Sequence, residues 1–563
     1  MDTKLKKKTY ISFLNVIFIA LLPLTMNAAG FLHTSAQDIV DESGNKILLR
    51  GVGLGNWMLP EGYMWKFGDQ ADRPRKIEKV ISDLAGPEYA KHFWTEYRNN
   101  YITEDDIKRI AELGYNSVRP ALDARMFLTE GDNPVFVDEG FEVLDNLVKW
   151  SKKYGIYVII DMHAAPGGQT GQNIDDSVND QPELFMDKKY QARLSDLWVK
   201  IASRYKDEPA VAGYDLLNEP LPERTGAAAK YKSQLEPLYK QLTAAIRAVD
   251  KKHMIIVEGA NWANDWSVFS SPFDDNMVYQ FHYYCWDHPS ALKSIQKYLD
   301  DRKRFNAPVW VGETGESDNA IYWATTEYFE ANNIGWSFWP WKKMDAANAP
   351  YSIKSPEDWK AVRSYTEGGD KPSMGAAQKT FDELLQNIQL KNCAFRPDVV
   401  SAMFRQVPGK VEAKNYGQDG RNKSYFVNDA DKNAKLYRTS EPVQISFADT
   451  NQNSEQVVTL GAGEWTAYAI DCPTASDNYE TIVRVKAENI PAEAQLMIDD
   501  LPCDVKFSTN AWSEINLGTH PLSSGQHHLK WLVKNGTVQL DWFELRLKQK
   551  NQLSANIDST VRE

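Results

Sequence analysis

Eight short apolar runs, alternating with amphipathic segments, organise residues 47–341. The runs are 47–53, 117–120, 157–163, 211–219, 253–259, 277–284, 308–315 and 335–341. Their interiors are Val, Ile and Leu, whereas their C-terminal ends carry Arg119, His163, Asn218, Glu219, His282, Tyr284, Glu313 and Trp339. The segments between them (102–113, 141–154, 193–205, 235–249, 291–305 and 322–332) repeat apolar residues at helical spacing. Ile107, Ile110, Ala111 and Leu113, for example, precede a stop at Gly114. The alternation predicts an α/β fold, a (β/α)8 TIM barrel with its site at the C-terminal ends of the strands. A doubly wound open sheet is the alternative, but it needs a G-x-G-x-x-G loop after its first strand. Gly51, Gly53 and Gly55 spell G-x-G-x-G instead.

Past residue 391 the rhythm stops. Short strand patterns follow at 443–447, 465–470, 481–485, 495–498, 527–533 and 538–545, punctuated by Ser524-Gly525 and Asn535-Gly536. They predict a second, all-β sandwich (jelly-roll) domain. The expected organisation is a signal peptide at 1–29, a barrel at 38–390, a linker at 391–408, the sandwich at 409–548 and a polar tail at 549–563. The signal reading rests on Lys4, Lys6, Lys7 and Lys8, an apolar stretch at 11–24, and Ala28 and Ala29 as small residues for cleavage. It predicts secretion to an extracellular or periplasmic space after cleavage. An uncleaved anchor is the alternative, but the apolar stretch is short for a membrane span, so no stable membrane association is expected. Cys285, Cys393, Cys472 and Cys503 show no metal-ligand spacing. Cys472 and Cys503 either pair within the sandwich or stay as buried thiols. The net charge of −13 argues against a nucleic-acid partner. The 18 Trp and 26 Tyr favour a carbohydrate partner, with a Trp-rich core as the plain alternative. A monomer is expected.

Glu219 and Glu313 each end an apolar run. Two carboxylates at the mouths of strands suit cleavage of a glycosidic bond. One arrives protonated to donate to the leaving oxygen, and the other arrives ionised to attack the sugar carbon or activate water. Glu223, Glu258 and Glu316 are nearby competitors, read as surface or supporting residues.

Leu217-Asn218-Glu219-Pro220, His282-Tyr283-Tyr284, Gly312-Glu313 and Gly335-Trp336-Ser337-Phe338-Trp339, together with Asn116-Ser117-Val118-Arg119, resemble glycoside hydrolase family 5 over roughly residues 38–390. The resemblance implies retaining hydrolysis without a cofactor for catalysis. It implies Glu219 as acid and then base, and Glu313 as nucleophile with Arg119 beside it. Asn218 would bond the sugar 2-OH, and Tyr284, with Arg119, would favour the charged form of Glu313. His163 and His282 would bond hydroxyls or orient a carboxylate, and Trp339 would form the floor. Gly51 to Trp57 with Glu61, His163 to Gly171, Phe93-Trp94 and Tyr101 to Asp106 resemble the branch holding exo-β-1,3-glucanases. Gly53 and Asn56 depart from that branch, which usually has Asn and Gly there. Glu61 is a candidate for bonding sugar hydroxyls or an exposed loop residue. The expected substrate is a β-glucan, a polysaccharide or oligosaccharide. A mannan, an arabinose- or galactose-containing polymer and a glycolipid are the alternatives, as is a non-catalytic carbohydrate-binding surface protein. The loop at 167–181 would either block one end of the cleft, giving exo attack, or act as a lid.

Val411 to Tyr416, Gly463 to Tyr468 and Asp541-Trp542-Phe543 resemble carbohydrate-binding modules of family 6. That resemblance implies a structural Ca2+ at Glu412 and Asp541, although Lys414 stands where a second acidic residue is expected. Trp465, Tyr468 and Trp542 read as core, and Trp512 as a candidate sugar platform.

Overall fold

The computed structural model describes residues 30–285, 294–432, 434, 436–449 and 455–548. The expected signal peptide and polar tail lie outside these residues. Among the described residues no helix is long and apolar enough to cross a membrane.

Eight parallel strands close into a barrel: β1 (Arg50–Leu54), β2 (Ser117–Asp123), β3 (Tyr157–Ala164), β4 (Val211–Asp215), β5 (Met254–Glu258), β6 (Met277–Tyr283), β7 (Val309–Gly315) and β8 (Gly335–Trp339), with β8 pairing β1. Such strands are covered on both faces, so they read as continuous apolar runs rather than alternating ones. Nearly every strand residue is buried accordingly. Helices such as Asp138–Tyr154 and Lys188–Tyr205 form the outer layer. Helix Glu104–Glu112 starts where the Asp106 carboxylate accepts the Thr103 backbone N–H at 2.9 Å, a capping box read directly from Thr-x-x-Asp. A hairpin of His33–Ser35 and Asp38–Val40 plugs the N-terminal end, where Leu32 and Ile39 pack on Ile159, Ile256, Val278 and Trp310. The barrel unit therefore begins before residue 38.

The C-terminal part packs two antiparallel sheets. One runs 444–447, 456–461, 537–547, 476–487, 513–522, with 409–412 beside 537–547. The other runs 425–426, 465–472, 525–535, 493–498, 501–506. Residues 391–408 are not a plain linker. They hold helix Pro397–Phe404, whose Val399, Val400 and Met403 are buried. All four cysteines are thiols, so Cys472 and Cys503 do not pair.

Candidate active site

The strand ends converge on a cleft of about 780 Å3 lined by Glu61, Tyr63, His163, Glu219, His282, Tyr284, Glu313 and Trp339, among others. Glu313 rides on β7. Glu219 lies four residues beyond β4, and its φ of +44° is a left-handed conformation that an L-residue adopts only when its surroundings enforce it. The enforcement is visible. Its backbone N–H donates to Glu258 Oε2 at 2.7 Å, and Gln169 Nε2 donates to the preceding carbonyl at 2.9 Å. One carboxylate oxygen of Glu219, one of Glu313 and a ring nitrogen of His282 all lie within 4.8 Å of one another.

Arg119 organises the floor beneath them. Its guanidinium donates to Glu313 Oε1 at 2.6 Å, Asp215 Oδ2 at 2.8 Å, Asn218 Oδ1 at 2.8 Å and Glu258 Oε1 at 3.1 Å, and it pairs with Asp161 at 3.1 Å. Burial pushes the carboxyls of Asp161 and Asp215 up to about 8 despite this cation. The negative charge of nearby Glu258 pushes both in the same direction. Burial works against charge on His282 too, but Glu258, Glu313 and Glu219 outweigh it and hold the ring well above the ordinary histidine value. This imidazolium donates to Glu219 Oε1 at 2.7 Å and faces Glu313 Oε2 at 3.6 Å. Burial also raises Glu313, opposed by His282 and Arg119, while Tyr284 donates to its Oε2 at 2.8 Å.

His163 behaves oppositely. Burial lowers it to about 4, so it is neutral. Its Nδ1 meets Asp161 Oδ2 at 2.7 Å and its Nε2 meets Asn218 Nδ2 at 3.2 Å, a pairing that needs the Nδ1–H tautomer. The ring lies flat beside Trp339, with centroids 5.2 Å apart and planes 2° apart. Trp339 donates to the Tyr63 hydroxyl at 3.0 Å. Two of the three glycines of β1 and its following turn now have a reason. A Cβ on Gly53 would sit 2.3 Å from the Trp339 indole, and one on Gly55 2.6 Å from it. The departure at Gly53 from the glucanase branch thus makes room for the aromatic floor.

Glu61 is no exposed loop residue. It is 2% exposed, lines the cleft, and its Oε1 has no hydrogen-bond partner among the described residues. Burial and then the charges of Glu313, Glu316 and Glu219 push it well up. Among the competitors, Glu258 is fully buried beneath the site, Glu316 lines the cleft and pairs with Lys343 at 2.6 Å, and Glu223 is exposed. The loop at 167–181 is tied down, with Asp175 accepting from Thr170, Gly171 and Ser177, and its Asn173 and Ile174 line the cleft. Asp161, Asp215 and Gln280 were not singled out as site residues. Asp161 and Gln280 carry a signal, a polar residue inside an apolar strand two positions before a site residue (His163, His282) and hence on the same face, whereas Asp215, the last residue of β4, is brought to Arg119 only by the barrel. Trp262, half-buried at the mouth beneath Arg224, was missed because it follows β5 in a loop whose Asn261, Trp262 and Ala263 all have left-handed φ.

In the sandwich, Glu412, Asp541 and Glu455 bring carboxylate oxygens within 4.8 Å of one another. Lys414 Nζ lies 3.8 Å from Glu412 and 3.9 Å from Glu455, and Arg484 pairs with Asp541. Two resident cations in the donor set do not fit a calcium ion, which needs six or more oxygens. Trp512, Trp465 and Trp542 each carry a cation over a ring face (Arg484, Lys530 and Lys410), at 4.8, 4.1 and 4.4 Å, so none presents both faces to a sugar.

Residues 82–345 match the sequence profile of the family described as Cellulase (glycosyl hydrolase family 5). The chain is 28% identical over 348 residues to a "Beta-xylosidase" of Phanerodontia chrysosporium, covering 56% of this chain and 71% of that one. It is 27% identical over 277 residues to a "Probable glucan 1,3-beta-glucosidase A" of Aspergillus fumigatus, covering 47% of this chain and 64% of that protein, a little under two thirds of its length. A rutinosidase from Aspergillus niger superposes with a TM-score of 0.45 at 18% identity, covering 54% of this chain and 92% of the other.

Proposed function

We propose that this chain, a glycosidase whose residues 82–345 form a glycosyl hydrolase family 5 domain, is a secreted retaining enzyme that cleaves β-glucosidic bonds of a β-glucan by double displacement. The observation that carries the reading is the approach of Glu219 and Glu313 oxygens to within 4.8 Å. Carboxyl groups about 5–5.5 Å apart suit covalent catalysis, whereas inverting enzymes leave roughly 6.5–9.5 Å for a water.

In this reading Glu219 gives its proton to the glycosidic oxygen as that bond breaks, and Glu313 bonds the anomeric carbon. Glu313 is then uncharged, and Glu219, now an anion beside the His282 cation, takes a proton from water. The hydroxide displaces Glu313 and restores it. Arg119, Tyr284 and His282 stabilise the Glu313 carboxylate as it leaves. Asn218, fixed by Arg119 and His163, bonds the 2-OH, and Trp339 lies under the ring. Glu61, with its unpaired oxygen, accepts glycone hydroxyls, and Trp262 receives the leaving sugar. Secretion is read from the Lys-rich and apolar stretch within residues 1–29.

A β-xyloside is the second reading, favoured by the xylosidase relative. Hydrolysis of laminarin, lichenan, carboxymethyl-cellulose, mannan and xylan, with the products separated by chromatography, decides the substrate. Proton NMR of the first-formed sugar decides the mechanism: the β-anomer should appear first, and an α-anomer appearing first overturns the double displacement.

A further inference from the structure

We propose that Asn261 is a positioning residue. It clamps the loop of Glu219 to the loop of Trp262, and so fixes the acid's carboxyl against the oxygen of a leaving group seated on that indole. The inference rests on the reading of Glu219 as acid and then base.

The acid loop cannot hold itself. It reads Glu219-Pro220-Leu221-Pro222-Glu223, and proline has no N–H, so its backbone donors are those of residues 219, 221 and 223. All three bond outside the loop. The Glu219 N–H donates to Glu258 Oε2 at 2.7 Å, the Leu221 N–H to the Gln169 carbonyl at 3.3 Å, and the Glu223 N–H to Asn261 Oδ1 at 3.1 Å. Glu219 and Leu221 have left-handed φ, +44° and +56°, which neither side chain favours. The conformation that aims Glu219 into the cleft is thus imposed by the segments around it.

Asn261 grips that loop at two points. Its own N–H donates to the Leu221 carbonyl at 3.1 Å, and its Oδ1 accepts from Glu223, so the two bonds straddle Pro222. The next residue, Trp262, lines the cleft with Arg224 5.3 Å over its ring. Asn261, Trp262 and Ala263 are left-handed in succession, with φ of +53°, +60° and +68°. Side chains hold this run in place. The Trp262 carbonyl accepts from Asn264 Nδ2 at 2.8 Å, the Ala263 carbonyl from Trp266 Nε1 at 3.0 Å, and Asn264 Oδ1 from the Tyr298 hydroxyl at 2.6 Å. Asparagine tolerates a left-handed φ better than most L-residues, and it stands where this tied turn meets the acid loop. A leaving sugar stacked on Trp262 and the carboxyl that protonates its oxygen therefore share one frame.

The test uses the full chain and two aryl β-glucosides, phenyl and 2,4-dinitrophenyl. Dinitrophenolate is a weak base and departs without a proton, whereas phenolate needs one from Glu219, so kcat/KM on the pair separates proton donation from the rest of the site. Asn261→Gly keeps the left-handed backbone and deletes Oδ1. It should lower kcat/KM on the phenyl glucoside about tenfold or more and leave the dinitrophenyl glucoside within about twofold of wild type. Asn261→Asp, which retains an acceptor oxygen, should recover most of the loss. Glu223→Pro deletes the donor instead. Residue 223 is exposed and opens a short helical turn, where proline fits, and Pro222 has the extended ψ of 137° that suits a residue before proline. It should show the same selective loss, and the double variant should be no worse than either single one, since both remove one bond. Equal losses on the two glucosides, or additive losses in the double variant, overturn the inference. If one variant fails to fold by near-UV circular dichroism, the other carries the test. Amide exchange of residues 219–223 gives a readout independent of turnover. It should rise severalfold in Asn261→Gly, and unchanged exchange overturns the clamp whatever the substrate. A wild type inactive on both glucosides, with exchange that still responds, would count against the functional assignment and leave the clamp standing.

Discussion

Glu313 is pulled two ways. Burial favours its neutral form, while Arg119 at 2.6 Å, Tyr284 at 2.8 Å and the His282 ring at 3.6 Å favour the anion. The net direction is upward, and a nucleophile works only when ionised. Activity should therefore fall as pH drops through a value above the ordinary ~4.3 of glutamate. Removing a donor to the charged form raises the pKa further. Tyr284→Phe should thus shift the acid limb of kcat/KM upward and lower kcat about tenfold, measured across a pH–rate profile; a downward shift contradicts the arrangement. The residues that do chemistry were legible because they stand at strand ends, where an apolar run stops on a polar group. Their supports were not. Asp161 and Asp215 sit inside the strands, where local pattern reads them as interruptions, and only the barrel's closure brings both to Arg119. Glu61 was ambiguous for the same reason: its burial comes from a loop folding over the barrel mouth.

At the scale of elements, the barrel strands were readable because parallel strands are covered on both faces. The sandwich strands 513–522 and 501–506 escaped notice because they alternate with many exposed polar residues, a pattern shared with loops. The same domain shows how one residue changes what a cluster can do. Burial raises Glu412 to about 7, yet Lys414 and Arg484 already supply positive charge among Glu412, Glu455 and Asp541. Calcium would have to compete with both. The melting temperature should agree within about 1 °C between EDTA and millimolar CaCl2, because a ligand that does not bind the native state cannot stabilise it. Lys414→Met should lower the melting temperature and create a calcium-dependent rise. A calcium-dependent rise of several degrees in the wild type would show that the cluster is a metal site after all.

At the seam between barrel and sandwich, helix Asn319–Ala331 is bonded to the C-terminal part, its Ala320 carbonyl accepting from Asn415 Nδ2 at 2.9 Å and its Glu330 from Arg405 at 2.6 Å, so a broken seam would leave buried polar groups without partners. Glu327 is its most sensitive member. It faces Arg405, Arg438, Gln418 and Asp419, and burial still lifts it to about 7. A raised carboxyl keeps its proton in the folded chain when the unfolded chain has lost its own. Stability from this group is therefore full below the unfolded value of ~4.3, falls as pH rises to about 7, and is flat above that. Asp161 and Asp215, up to about 8, add slopes of the same sign inside the barrel, so the pH dependence of the wild type alone assigns nothing. The difference between wild type and Glu327→Gln isolates the seam. The amide cannot ionise, so the variant should lose less stability between pH 5 and pH 8, its melting temperature at pH 8 exceeding that of the wild type by roughly 2–4 °C. Calorimetry adds a second reading: a single transition in both proteins is expected of one body. A wild type whose barrel and sandwich melt separately would mean that the seam does not couple them, and Glu327→Gln would then shift only one of the two transitions.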